Sequence, residues 1–133
     1  MVDYVRRWNA RTEITVGTLV LWLFARAVLD PPADPALRRR WWLGFAVAAG
    51  LAFTNHMSTV LLAPACLTLL VWRTGWTRSL WEHLRSAAPA FVAGLLPYLY
   101  LPLRASTDPP LNWGNPDSLW AFVRHVSGTQ YRV

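Results

Sequence analysis

Eight side chains stand out against an apolar background as groups able to do chemistry: Glu13, Asn55, His56, Arg104, Asn112, Trp113, His125 and Tyr131. A carboxylate such as Glu13 can accept a proton or bind a metal or a hydroxyl-rich ligand; it equally suits the start of a helix, where the macrodipole favours negative charge. The planar fork of Arg104 matches a phosphate, although an arginine at the end of a membrane span also snorkels to the interface. The amide and imidazole of Asn55 and His56 can bond to phosphate or hydroxyl groups, and a hairpin turn at a membrane boundary needs the same polar residues to satisfy its backbone. Asn112 and Trp113 pair a hydrogen-bonding amide with a flat stacking face, as packed turns also do. His125 is either a packing residue of a tail helix or a proton carrier. Tyr131 says little on its own.

The elements that must position these groups are built for lipid. Of the 133 residues 54% are apolar and 15% carry formal charge, against roughly 25% charged in soluble domains, and the apolar residues fall into blocks. A chain of this length forms one domain at most and is best understood as a piece of something larger. The formal charge of +6 comes entirely from arginine. Those arginines sit between apolar blocks without forming a continuous stripe, which disfavours a nucleic-acid binder. Cys66, the lone cysteine, forms no internal disulfide and reads as a small packing residue. Met1–Thr12 is polar and no small-residue cleavage site follows the first apolar block, so that block is expected to remain as an anchor.

About four short spans are expected. Residues 14–29 are apolar apart from Thr15, Thr18 and Arg26 and nearly cross a hydrocarbon core of roughly 30 Å at about 1.5 Å per residue. Residues 30–40, with Pro31, Pro32, Pro35 and the basic run Arg38-Arg39-Arg40, read as a loop in water. Trp41–Trp72 carries no formal charge and would measure about 48 Å as one helix, so it is expected to fold back near Thr54–Ser58, giving spans at 41–53 and 59–72. Residues 73–86 place Trp76, Leu80 and Leu84 at four-residue spacing among charged residues, an amphipathic connector or a helix lying flat at the interface. The last span, 87–103, contains Pro97 and Pro102, which membrane helices tolerate. In the tail, 104–133, a short helix is expected at about 116–126, capped by Asn115, opened by Pro116 and stopped by Gly128.

A hairpin in the middle fixes which residues can meet. Loops 30–40 and 73–86 fall on one side, and the N-terminus, the Asn55–His56 turn and the tail on the other. Seven arginines against six is a weak bias. The arginine-free turn flanked by two basic loops is more telling, and the positive-inside rule puts those loops in the cytoplasm, with Trp41, Trp42 and Trp72 as an interfacial belt. Glu13, Asn55, His56, Arg104, Asn112, Trp113, His125 and Tyr131 then share the outer face, where they can line one cleft.

The stretch Leu101–Tyr131, LPLRASTDPPLNWGNPDSLWAFVRHVSGTQY, resembles a signature of the membrane protein O-mannosyltransferase family, with the Leu-Arg-Ala-Ser turn, Asn112-Trp113-Gly114, and His125 followed by Gln130-Tyr131 at its centre. Gly50-Leu51-Ala52-Phe53-Thr54-Asn55-His56 is similar to that family's apolar helix ending in Thr-Asn-His. Thr12-Glu13-Ile14 matches the acidic opening of another family span, with Thr15 in place of the usual tyrosine. The resemblance covers most of the chain as an interior fragment; the acidic motif near the outer end of the family's first helix is not among the matched residues.

What this resemblance implies is an all-α, polytopic membrane fragment of the C-type glycosyltransferase fold (GT-C), in a bacterial inner membrane, with an extracytoplasmic tail. A sugar, mannose for this family, would pass from a polyprenyl-phosphate carrier to a protein or other acceptor on the outer face. Glu13 would take the acceptor's proton, or bind a metal or the sugar; Asn55, His56, Arg104, Asn112, Trp113, His125 and Tyr131 would bind substrate. No tightly bound cofactor is implied, the lipid-linked sugar being a substrate, and a divalent metal is left open. No Cys or His spacing suggests zinc, no glycine-rich loop suggests a nucleotide, and no Ser-His-Asp order stands out, which disfavours a nucleotide-sugar donor. The competing expectations are a non-catalytic membrane scaffold or truncated product, and a small transporter subunit; the latter needs ionisable residues inside its spans, and only Arg26, near one end, qualifies.

Overall fold

The computed structural model describes residues 2–55, 57–107, 115–127 and 129, and for residues 2–11, 13 and 57 the backbone alone. All regular structure among the described residues is helical, the all-α class expected from the sequence. The chain divides into two compact units, Met1–Leu95 and Leu96–Val133.

The first unit is built from four helices that alternate in direction. α1 (Val2–Phe24) continues into a π-helical turn, Ala25–Leu29, closed by the amide of Asp30 donating to the Ala25 carbonyl at 2.8 Å. α2 (Pro35–Asn55) begins with proline at its first position, where a missing N–H costs nothing, and with the Asp34 carboxylate accepting from the Ala36 amide at 2.9 Å. The expected loop 30–40 is therefore shorter in the structure. Arg38, Arg39 and Arg40 lie in the opening turns of α2, as suits a good helix former once a cap has started the helix.

After α2 a 3₁₀ turn, Met57–Leu61, leads into α3 (Leu62–Thr74), which runs back and brings Cys66 and Leu70 into the buried cluster with Trp42. Its end is marked by Gly75 at φ 65°, a left-handed position open to glycine, with the Gly75 amide on the Val71 carbonyl at 2.7 Å. Arg73 donates from Nη2 to the Leu29 carbonyl at 3.4 Å, which brings the loops after α1 and after α3 to one end of the unit.

α4 (Arg78–Gly94) carries the apolar stripe of Leu80 and Leu84 on to Ala87, at four- and then three-residue spacing, without a break. Of the residues 73–86 expected to form a separate connector, 73–74 end α3, 75–77 make the turn and 78–86 are the first half of α4. Pro89 sits inside it, releasing a carbonyl one turn back, which packed membrane helices accommodate.

The connection 30–34 turns the chain straight back, so α1 and α2, on which Trp22 meets Trp41 and Phe24 meets Phe45, are antiparallel; Trp42 meets His83 and Phe53 meets Phe91, so α2 and α4 are parallel. The buried cluster Phe24, Ala27, Val28, Trp42, Cys66, Leu70 and Leu80 joins all four helices at the loop end. Towards the other end α2 and α4 cross at Gly50 and Gly94, where their backbones touch, the small-residue contact by which membrane helices approach one another.

In the second unit a 3₁₀ turn, Leu96–Leu99, precedes α5 (Tyr100–Ala105), and α6 (Leu119–Val126) follows after the segment 108–114, which lies outside the described residues. Tyr98 and Phe122 meet edge to face with centroids 6.4 Å apart. The cap of α6 is Ser118, whose hydroxyl accepts from the Ala121 amide at 3.2 Å. Asn115 takes a left-handed φ of 36° and donates to the Asp117 carboxylate at 3.1 Å, so the helix does not open at Pro116.

Large apolar side chains stay on the outside: Ile14 is 70% exposed, Leu61 75% and Trp72 76%. Soluble monomers keep contiguous apolar patches small. Among the described residues, the helical stretch Arg78–Ala105 is long and apolar enough to cross a membrane, and Ile14–Leu29 and Ser58–Thr74 are shorter apolar helices.

Candidate functional site

Glu13 lies on α1 and Asn55 is the last residue of α2, exposed. From the Phe24–Phe45 contact, eleven residues back along α1 and ten forward along α2 are about 16 Å and about 15 Å of helix. Because the two helices are antiparallel, the backbones of Glu13 and Asn55 stand level at the same end of the pair, opposite the end that gathers loops 30–34 and 75–77. The side chain of Glu13 lies outside the described residues, as do His56, Asn112, Trp113 and Tyr131 altogether.

The chain around Asn55 is drawn tight by two threonines. The Thr54 hydroxyl donates to the Leu51 carbonyl at 2.7 Å, and the Thr59 hydroxyl reaches back to the Ala52 carbonyl at 3.3 Å. Both carbonyls belong to the last turns of α2, whose final carbonyls lack helical partners. The polar turn thereby satisfies backbone that a purely apolar hairpin would leave bare.

In the second unit Arg104 is exposed on α5. Its Nη1 donates to the Thr107 hydroxyl at 3.1 Å, while that hydroxyl donates to the Arg104 carbonyl at 2.8 Å and the Thr107 amide to the same carbonyl at 3.2 Å. The turn after α5 thus holds one corner of the guanidinium and leaves the group presented to its surroundings, a geometry suited to a bidentate anion. His125 is half-buried in the last turn of α6.

Sequence reasoning missed an apolar groove of about 730 Å³ in the first unit. It runs from Trp42, Leu70 and Leu84 near the loop end to Phe53, Thr59 and Phe91 near the Asn55 end. Its walls are cut back by Ala46, Ala49, Ala63, Ala87 and Ala88, alanines whose shared face shows only once α2, α3 and α4 are assembled. Its size falls within the roughly 300–1,000 Å³ of small-molecule sites, and its lining offers an occupant contacts of apolar character.

No curated protein and no solved structure matches the chain. The family model described as dolichyl-phosphate-mannose-protein mannosyltransferase matches residues 6–100. The match takes in Glu13, the turn at Asn55 and the whole groove, and stops short of the segment 101–131. With most of its length covered, the chain belongs to the dolichyl-phosphate-mannose-protein mannosyltransferase family.

Proposed function

We propose that the chain is part of a multi-pass membrane glycosyltransferase that passes mannose from a polyprenyl-phosphate carrier to a protein or other acceptor. The carrying observation is the apolar groove, which runs along the first unit towards the end where Glu13 and Asn55 stand level. A polyprenyl tail needs an apolar channel of this kind, and its phosphate must emerge where polar groups begin. Exposed leucines and tryptophans on α1, α3 and α4 support helices embedded in lipid on several sides.

In the transfer, the acceptor hydroxyl oxygen forms a bond to the anomeric carbon as the bond from that carbon to the phosphate oxygen breaks. Glu13 takes the hydroxyl proton, and the departing phosphate keeps the electron pair. Arg104 supplies charge to that phosphate. Asn55, His56, Asn112, Trp113, His125 and Tyr131 hold the sugar and the phosphate through amide, imidazole, indole and phenol groups. Loops 30–34 and 75–77 face the cytoplasm by the positive-inside rule, and the Asn55 end faces outward.

Membranes carrying the protein and supplied with labelled polyprenyl-phosphate mannose test this directly. Transfer that falls in both Glu13→Gln and Arg104→Ala at unchanged protein level supports the roles given. Undiminished transfer removes these residues from the mechanism, and absence of transfer from any polyprenyl donor overturns the enzymatic reading.

A further inference from the structure

We infer that the loop end of the first unit is a docking surface for the headgroups of anionic phospholipids. This rests on the multi-pass membrane reading above and goes beyond it, since Glu13 and Asn55 stand at the opposite end of the same unit.

Folding gathers charge there that the sequence keeps apart. The contact of Arg73 with the Leu29 carbonyl, and of the Trp42 indole with the His83 carbonyl at 3.0 Å, bring residues 26–40 together with residues 73–86. These two segments hold seven arginines against Asp30, Asp34 and Glu82, an excess of four positive charges from seven minus three. Arg26 is paired with Asp30, and Arg78 with Glu82 at 2.9 Å. Among the described residues Arg38, Arg39, Arg40 and Arg85 form no ion pair, and all four are exposed.

Helix propensity permits the run Arg38-Arg39-Arg40 but supplies no partner for its charge. Positive charge in the opening turns of α2 opposes the macrodipole, so an external anion is the partner these groups lack. Aromatic residues share the same end: Trp72 is 76% exposed, Trp76 79% and Trp81 57%. Indoles left in the open beside guanidiniums are unfavourable in water and suited to the headgroup layer, where the ring lies among glycerol and carbonyl groups and the N–H finds an acceptor. Charge and aromatic content together fit a phosphate-bearing lipid surface, and the four-charge excess selects anionic over zwitterionic headgroups.

The test uses the whole chain reconstituted into vesicles of equal phosphatidylglycerol and phosphatidylcholine, extracted in mild detergent, with the lipid that stays on the protein quantified by mass spectrometry. Arginine at a membrane surface is worth about fivefold in affinity for each residue, so the wild type is expected to retain phosphatidylglycerol well above the mixing ratio. The Arg38→Gln/Arg39→Gln/Arg40→Gln variant should return it towards that ratio, and high salt should do the same to the wild type. Retention at the mixing ratio by the wild type, or unchanged enrichment in the triple variant, overturns the proposal. Carbonate washing of the same vesicles separates the two readings: protein that stays in the bilayer without enrichment defeats the headgroup surface alone, whereas protein released by carbonate defeats the membrane reading and this one with it.

Discussion

Gly50 on α2 and Gly94 on α4 pack backbone against backbone: a Cβ on either would stand 2.9 Å from the Cα of the other, and closer still to the carbonyl of Phe91 or Val47. Nothing in the way is a flexible side chain, so even one methyl group forces the helices apart. Gly94→Ala and Gly50→Ala are each expected to destabilise the fold by about 1–3 kcal/mol. Because both changes open the same crossing, the double variant should lose less than the two losses added. Thermal unfolding in detergent, followed by helical circular dichroism, measures this; an unshifted midpoint in both single variants defeats the close crossing.

A second lock holds the other end of the same helix pair. The Trp42 indole N–H is shared between the His83 carbonyl at 3.0 Å and the Ser86 hydroxyl at 3.1 Å, and that hydroxyl itself donates to the His83 carbonyl at 2.9 Å. Trp42→Phe removes the indole donor yet leaves the carbonyl partnered, so the loss should be only about 1 kcal/mol. Trp42→Ala also empties the buried cluster with Phe24, Leu70 and Leu80 and should cost about 3–5 kcal/mol. Equal effects of the two substitutions in the same unfolding assay would show that the hydrogen bonds outweigh the packing.

The helices were legible in the sequence wherever a local rule decides them. The polar stretch Thr54–Ser58 announces the fold-back near Asn55, whereas the start of α2 at Asp34-Pro35 reads as loop because three prolines and a basic run obscure a cap that acts within a few residues. Where the rules compete, the neighbours decide. Asn115 and Ser118 are both good caps, and only the bond from Asn115 to Asp117 shows why α6 starts at Leu119. The groove was illegible for a different reason: its alanines come from three helices and acquire a common face only through the Gly50–Gly94 crossing and the fold-back of α3. Of the candidate residues, Asn55 and Arg104 combine a family motif with an exposed, locally braced position. Four others, His56, Asn112, Trp113 and Tyr131, fall outside the described residues and rest on the motif alone.

The bracing of Arg104 by Thr107 predicts that its planar fork matters as well as its charge. Arg104→Lys keeps a cation but offers a point charge in place of two parallel donors. Mannose transfer should fall by about tenfold in Arg104→Lys, the loss of one charge-assisted hydrogen bond, and further in Arg104→Ala. Thr107→Val, which frees the guanidinium corner while keeping shape, should fall less than either. Transfer in Arg104→Lys at the wild-type level, in membranes with matched protein amounts, shows that the fork has no role.

The spacing of the two loop ends predicts the orientation of the chain. α2 spans 21 residues, about 31 Å of helix, long enough to keep its Arg38–Arg40 turns in one headgroup layer while its far end reaches the other. Ala33 just before it and Asn55 at its end are both exposed and should therefore lie on opposite sides of the bilayer. Cys66 is the lone cysteine and buried, so a Cys66→Ala background gives a silent chain for labelling. A membrane-impermeant maleimide added to intact cells is expected to label Asn55→Cys at once and Ala33→Cys only after permeabilisation. Labelling of Ala33→Cys alone would invert the orientation, moving the Glu13–Asn55 end into the cytoplasm and the arginine-rich end outside. Labelling of both positions in intact cells would mean that α2 does not cross the membrane, which removes the basis for placing the donor's phosphate and its acceptor on one outer face.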